Sequence, residues 1–341
     1  MDLTVVHMNY LQGEILTKDG FITGYLGFEQ SGGVTEVRKG TPPEKPLAKG
    51  IVIPTCVNAH THIGDSFIRF KHLTLPRSVK ELVAPPAGLK HRLLKQASEQ
   101  EIHEGIQRCL EEMRLSGTSC FCDFREGGLI GIFQLKKAMK TCGITSVVLA
   151  RPSRLTYEKE ELDWLLQNSD GIGLSSISDW EASEIEKLAK HVHRKKKIFA
   201  LHASEVDRED IDRILDLHPN LLVHMIAATK SDLDRVHDAD IPIVVCPRSY
   251  LFFGLNHNLA LMKETGVTLL LGTDNAMINT PDVIEEVRVL RKTGVFTLEE
   301  LLTTVTYTPR KALNLDDCIQ AGNLSERFIV LERDSLKPVY V

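Results

Sequence analysis

The sequence predicts an α/β chain, a (β/α)8 barrel of the TIM type with a small β-sandwich-like domain built from both chain ends. Three observations predict it. Short β-branched runs alternate with longer amphipathic stretches from residue 51 onward. Eight such runs fall within about 250 residues, the size and rhythm of eight βα units. The two chain ends read as strands with little helical periodicity. An open, doubly wound sheet would show the same alternation. However, no Gly-x-Gly-x-x-Gly follows the first run and no Walker-type loop occurs.

Residues 1–50 contain "MDLTVVHMNYLQ", "FITGYLGFEQ" and "GGVTEVRKG", short extended pieces separated by turns. The Pro-rich segment "TPPEKPLAKG" then serves as a connector. The runs expected as barrel strands are "GIVIPTCVNAH", "TSCFCDF", "ITSVVLA", "GIGLSSIS", "KIFALHAS", "NLLVHMI", "IPIVVCP" and "VTLLLGTD". Helical patterns fill most intervals, as at Gln100–Ser116, Leu129–Cys142, Trp180–Lys195, Glu209–His218 and Leu259–Thr265. The stretch Ile63–Ala97 interrupts the alternation after the first strand, where a barrel places a loop over its working face. A closing helix is expected over Thr297–Leu313, and the strand-like tail "AGNLSERFIVLERDSLKPVYV" is expected to pair with the first 50 residues. The expected division is therefore 1–50 and 314–341 for the small β domain, with the barrel over 51–313.

Composition narrows the function classes. Hydrophobic residues at 43% suffice for a core, and a net charge of −5 gives no reason to expect nucleic acid or an anionic membrane as partner. The basic run "HRKKK" (His193–Lys197) reads as a helix C-terminus that complements the helix dipole. No apolar stretch approaches the roughly 20 residues that span a bilayer, and the first residues lack the pattern of a signal peptide. Seven cysteines without a Cys-x-x-Cys suit reduced thiols in a cytoplasmic protein. The expected partner is a small-molecule substrate, and exposed barrel helices leave room for a homo-oligomer.

In a barrel, functional side chains project from the C-terminal ends of strands. The first strand ends with His60 and His62, which share a face because alternate residues of a strand project together. The fifth ends with His202 and Glu205, the sixth with His224 and the eighth with Asp274. Taken singly, each has an ordinary structural explanation: a satisfied core histidine, or a helix N-cap for Asp274. Together, at the ends of four different strands, they point to a metal site. His191 and His193 lie on opposed faces of a helix and cannot share an ion.

At these residues the chain resembles the amidohydrolase superfamily, in particular its chlorohydrolase and cytosine-deaminase-like (ATZ/TRZ) branch. The resemblance rests on "VNAHTH", "LHASE", "VHM" and "LGTDN" in that order, with "VVCPRSYLFFG" before the eighth strand and "TYTPRKALNL" before the returning tail. It implies that His60, His62, His202 and Asp274 bind one divalent metal and that Glu205 and His224 are catalytic, with Asp274 in a double role. Three imidazoles and a carboxylate suit Zn2+ or Fe2+ with a position left for water, which the ion would activate as hydroxide. Glu205 would then move the proton and His224 would stabilise the developing oxyanion. The third and fourth strand ends, "VVLARPS" and "GLSSISD", lack the Lys or Glu that bridges two metals in binuclear relatives.

The sequence thus predicts a hydrolytic deaminase of an aminated heterocycle (purine, pyrimidine or pterin-like). The rivals are hydrolysis of an amide, cyclic imide or C–Cl bond at the same site, and a non-catalytic binding protein on the same scaffold. "GTDNAMINTP" lacks the branch's paired asparagines and "AGNLSERFIVLE" lacks its usual Gly-Lys-x-Ala-Asp, so the substrate stays open. Arg125, Glu126 and Arg248 are candidates to orient it.

Overall fold

The computed structural model describes residues 8–29, 33–315 and 328–340. The first seven residues and all of "AGNLSER" (321–327) in the tail, which bear on the predicted strands, lie outside the described residues. Four strands open the chain: β1 (Met8–Thr17), β2 (Gly20–Glu29), β3 (Val34–Lys39) and β4 (Ala48–Pro54). Nine follow in the middle region: β5 (Cys56–His62), β6 (Thr118–Arg125), β7 (Thr145–Ala150), β8 (Gly171–Leu174), β9 (Ile198–Ala203), β10 (Leu221–His224), β11 (Ile243–Val245), β12 (Leu269–Leu271) and β13 (Asp274–Asn275). Strands β14 (Phe328–Leu331) and β15 (Pro338–Tyr340) end it.

The middle strands make one curled sheet in the order β12-β11-β10-β9-β8-β7-β6-β5-β13, every pair parallel. At least one helix lies in each interval from β5 to β12, and this coverage explains why the strands are apolar on both faces: Phe199–Leu201, Leu221–Val223 and Ile243–Val245 are all buried. The sheet's two edge strands, β12 and β13, are consecutive pieces of one run joined through Gly272 and Thr273. Gly272 N–H donates to Val245 O on one side, and Thr273 N–H donates to His60 O on the other. A Cβ at Gly272 would stand 2.6 Å from His60 Cβ and 2.8 Å from its N and O, so a glycine is required where this run crosses β5.

The predicted first strand is two strands. "GIVIP" belongs to β4, which pairs with β1 and β14 in the small sheet, and the strand that carries His60 and His62 starts afresh at Cys56. The chain ends form a single six-stranded sheet, β15-β14-β4-β1-β2-β3, rather than the two facing layers of a sandwich. Period-two alternation supplies the reason. Leu11, Ile15, Val52, Phe328 and Val330 gather in a cluster of their own on one face, while Leu16, Ile51, Ile53, Ile329 and Leu331 point the other way and join the main core. The main core occupies the place of a second layer.

The predicted closing helix is likewise broken, into Leu298–Thr303 and Tyr307–Ala312. Pro309 has no N–H to give to Val305 O, and that carbonyl instead accepts from Val57 N–H at the start of β5. The interval Ile63–Ala97 carries a 3-10 helix at Ile63–Lys71 and short helices at Val79–Leu82 and Leu89–Gln96. Helix Glu99–Leu115 starts with a Ser98/Glu101 capping box and buries Ile102, Ile106, Cys109 and Met113 at helical spacing. No disulfide joins the described cysteines, and no helix among the described residues is long and apolar enough to cross a membrane.

Candidate metal centre and active site

Parallel register brings the predicted residues to one rim. His202 lies opposite Val223, Asp274 opposite Thr61 and Asn275 opposite His62. His202 Nε2 stands 3.3 Å from His60 Nε2 and 3.4 Å from His62 Nε2. Asp274 Oδ1 lies 3.4 Å from His60 Nε2 and 3.7 Å from His62 Nε2. All four side chains are buried or nearly so.

The tautomers explain this crowding. His202 Nδ1–H donates to Leu174 O at 2.7 Å, so its Nε2 carries a lone pair. His62 Nδ1–H is placed between Phe124 O, 3.0 Å away, and Glu126 Oε1, 2.8 Å away, so its Nε2 is also an acceptor. Two lone pairs 3.4 Å apart repel unless a cation lies between them. Points separated by 3.3–3.7 Å at the corners of a tetrahedron have a centre about 2.0–2.3 Å from each, the range of zinc–ligand bonds. Burial pushes the His60 imidazole down to about 3 and that of His202 well below its ordinary value, so both are neutral as ligation requires. The donor set fits a divalent ion. Asp274 is held by Ser249 Oγ–H on Oδ2 at 2.5 Å and by Asn275 Nδ2–H on Oδ1 at 2.8 Å.

Glu205 and His224 border this cluster. His224 Nε2 is 3.6 Å from Glu205 Oε1, and ligand atoms of Glu205, His224 and Asp274 all lie within 4.8 Å of one another. The Tyr250 hydroxyl accepts Cys246 N–H at 2.9 Å and faces His224 Nδ1 at 3.4 Å. With that hydroxyl donating to Nδ1, the His224 proton is on Nε2 and points toward Glu205. Burial first, then the Asp274 charge, raise the Glu205 carboxyl to about 8. His224 and Asp274 hold left-handed backbone, φ 76° and 59°, strain of the kind that collects at working strand ends.

A cavity of about 510 Å3 opens above these groups, lined among others by Glu205, His224, Lys90, Arg151, Ser175 and Phe253. None of the three residues expected to orient substrate is among its lining residues. Arg125 donates from Nε to Gly131 O and sits 3.7 Å from Asp123. Arg248 is bound to Glu286 and Thr280, and Glu126 stands behind His62. Arg151, at the end of β7, lines the cavity and has a buried Nε without a hydrogen-bond partner among the described residues. Sequence reading missed Lys90, Ser249, Tyr250 and Asn275. The last three lie within recognised segments, "VVCPRSYLFFG" and "LGTDN", whereas a lone lysine in a polar insertion carries no periodic signal.

A sequence profile of the amidohydrolase family matches residues 51–326. The uncharacterized protein MJ0699 of Methanocaldococcus jannaschii is 33% identical over 327 residues, 90% of this chain and 82% of that protein. A 5-methylthioadenosine/S-adenosylhomocysteine deaminase of Halalkalibacterium halodurans is 25% identical, covering 92% of this chain and 81% of its own length. The zinc-bound crystal structure of an adenosine deaminase from Xanthomonas campestris superposes with a TM-score of 0.71 at 16% identity, over 96% of this chain and 85% of that one. With four fifths of its residues under the family profile, the chain belongs to the amidohydrolase family.

Proposed function

We propose that this protein is a hydrolytic deaminase of an aminated heterocycle, a purine, pyrimidine, pterin or related ring, dependent on one divalent metal, zinc in preference to iron. The observation that carries this reading is the convergence of His60, His62, His202 and Asp274 on one point, with Glu205 and His224 beside it at the foot of the cavity. We take β12 and β13 as the two halves of an eighth strand that closes a (β/α)8 barrel, with residues 1–50 and 314–341 supplying most of a small β domain. Residues His60, His62, His202 and Asp274 would hold the ion. When bound, it supplies Lewis acidity that makes a neighbouring water acidic near neutral pH.

The chain's own groups do the rest. With the charge of a bound cation drawing it back to the carboxylate form, Glu205 would take a proton from the attacking water and pass it to a ring nitrogen of the substrate. The His224 Nε2–H donates to the oxygen that has joined the ring carbon, at the point where negative charge grows. The C–N bond breaks, ammonia leaves with the transferred protons, and a carbonyl remains on the ring. A cavity of about 510 Å3 seats a ring with a modest substituent, within the usual range for small-molecule sites. The deaminase relatives support C–N hydrolysis. The protein would act in the cytoplasm on a small molecule, with no nucleic acid or membrane as partner.

The test is ammonia release from a panel of aminated rings, methylthioadenosine included, by zinc-loaded protein. Glu205→Gln should keep its zinc and lose about 10^2-fold or more in kcat, the usual range for a general base. Silence of zinc-bound wild type across the panel would overturn deamination in favour of amide, cyclic imide or C–Cl hydrolysis.

A further inference from the structure

Among the described residues Lys90 is the one lysine that the fold buries fully at the site, 2% exposed, and it comes from the insertion between β5 and β6 rather than from a strand. Its ammonium donates to Asn275 Oδ1 at 2.8 Å and forms ion pairs with Glu126 Oε1 at 2.6 Å and Asp65 Oδ2 at 3.2 Å. Each of these partners leads elsewhere. Glu126 Oε1 is 2.8 Å from His62 Nδ1, the proton that fixes which ring nitrogen faces the ion. Asn275 gives its side-chain N–H to Asp274 Oδ1, and Asp65 Oδ1 accepts Met277 N–H in the turn after β13. One cation from the insertion thus ties the supports of a ligand on the first barrel strand to those of a ligand on the last.

We infer that Lys90 is a positioning residue that couples seating of the helix Leu89–Gln96 to the hold on the metal, through Glu126 behind His62 and Asn275 behind Asp274. The inference rests on the metal reading given above. With Lys90 in place, Glu126 and Asn275 keep the orientation in which His62 presents Nε2 and Asp274 presents Oδ1. With the helix lifted, Asp65 loses its counter-charge, Glu126 keeps only Arg151 at 3.8 Å, and both supports are free to turn. Coupling of this kind is reciprocal, so a metal that is held more tightly when the helix is seated must in turn hold the helix down. Groups behind metal ligands typically alter affinity by about 10- to 100-fold when replaced.

The experiment measures zinc affinity of the full chain by chelator competition, for wild type, Lys90→Met and Leu26→Ala. Leu26 is buried in the small sheet and serves as a control for general loss of stability. Lys90→Met should bind zinc about 10- to 100-fold more weakly, and Leu26→Ala within about twofold of wild type. Hydrogen exchange of the wild type with and without zinc supplies the second measurement, in case Lys90→Met does not fold. Zinc should slow exchange across Leu89–Gln96 by about tenfold or more. Wild-type zinc affinity in folded Lys90→Met, or exchange over that helix indifferent to zinc, overturns the coupling while leaving the metal site intact. A wild type that takes no zinc overturns the metal reading and the coupling with it.

Discussion

Gly272→Ala adds one methyl group where the run from β12 to β13 crosses β5. The new carbon would stand 2.6 Å from His60 Cβ and 2.8 Å from His60 N and O. Relief to the 3.4 Å at which ordinary contacts begin requires about 0.8 Å of separation between two buried backbones. Neither can retreat easily: Gly272 and Thr273 are hydrogen-bonded on opposite sides, and His60 is packed 4.4 Å from the Phe124 ring. Metal–ligand distances tolerate only about 0.2 Å, and the displacement falls between His60 and Asp274, two residues beyond the glycine. Overpacking of this kind costs about 1–3 kcal/mol in stability. Zinc affinity should fall by more than about 100-fold, beyond what loss of an outer support produces. Calorimetric titration with zinc, beside thermal unfolding of the metal-free protein, reads both quantities. Wild-type affinity in a folded Gly272→Ala would refute the claim that this crossing sets the ligand geometry.

Tyr250→Phe removes the hydroxyl that orients His224 and leaves the buried Cys246 N–H without its acceptor. A stability loss of about 1–3 kcal/mol in denaturant titration should accompany a fall in kcat, with zinc content unchanged. Chelation should lower the thermal midpoint, because an ion at a thousand times its Kd adds about 4 kcal/mol to the folded state; a scan with and without chelator measures it. Asp232 is held down to about 2, first by hydrogen bonds from Arg208 and against the opposing effect of burial. Its folded pKa is depressed, so its contribution is complete above about pH 4 and is lost as pH falls through about 2. The shift corresponds to about 2 kcal/mol, and the half-exposed Arg208 screens it to about 1 kcal/mol. Urea titrations at pH 4 and pH 2.5 should show a smaller acid loss in Arg208→Met than in wild type.

The strand ends were legible because their chemistry interrupts an apolar rhythm. His60, His62, His202, His224 and Asp274 each stop a buried run, and the parallel register carries all of them to one rim. The two breaks that sequence reading missed depend on partners distant in the chain. Nothing local to "GIVIPTCVNAH" says that its first half bonds β1 and β14. Nothing local to "TLEELLTTVTYTPRKAL" says that Val305 O is claimed by Val57, although Pro309 marks where the ladder must fail. Lys90 and Tyr250 were illegible for a related reason. Lys90 is set by burial against Asn275, 185 residues away, and Tyr250 by His224, 26 residues away, and composition alone assigns a lysine to the surface.

The small sheet's strand order bears on how the protein is made. Strand β4 lies between β1, already synthesised, and β14, which begins at Phe328. Every ligand of the proposed metal centre precedes residue 275 and so emerges before Phe328, and the centre can assemble while one side of β4 still lacks its neighbour. Until residues 328–331 emerge, the backbone of Ile51–Pro54 is an open edge flanked by apolar side chains, the feature that invites pairing between nascent chains. Arrest of translation before Phe328 should therefore yield a chain that holds zinc yet self-associates, with the vulnerability in the sheet rather than in the catalytic region.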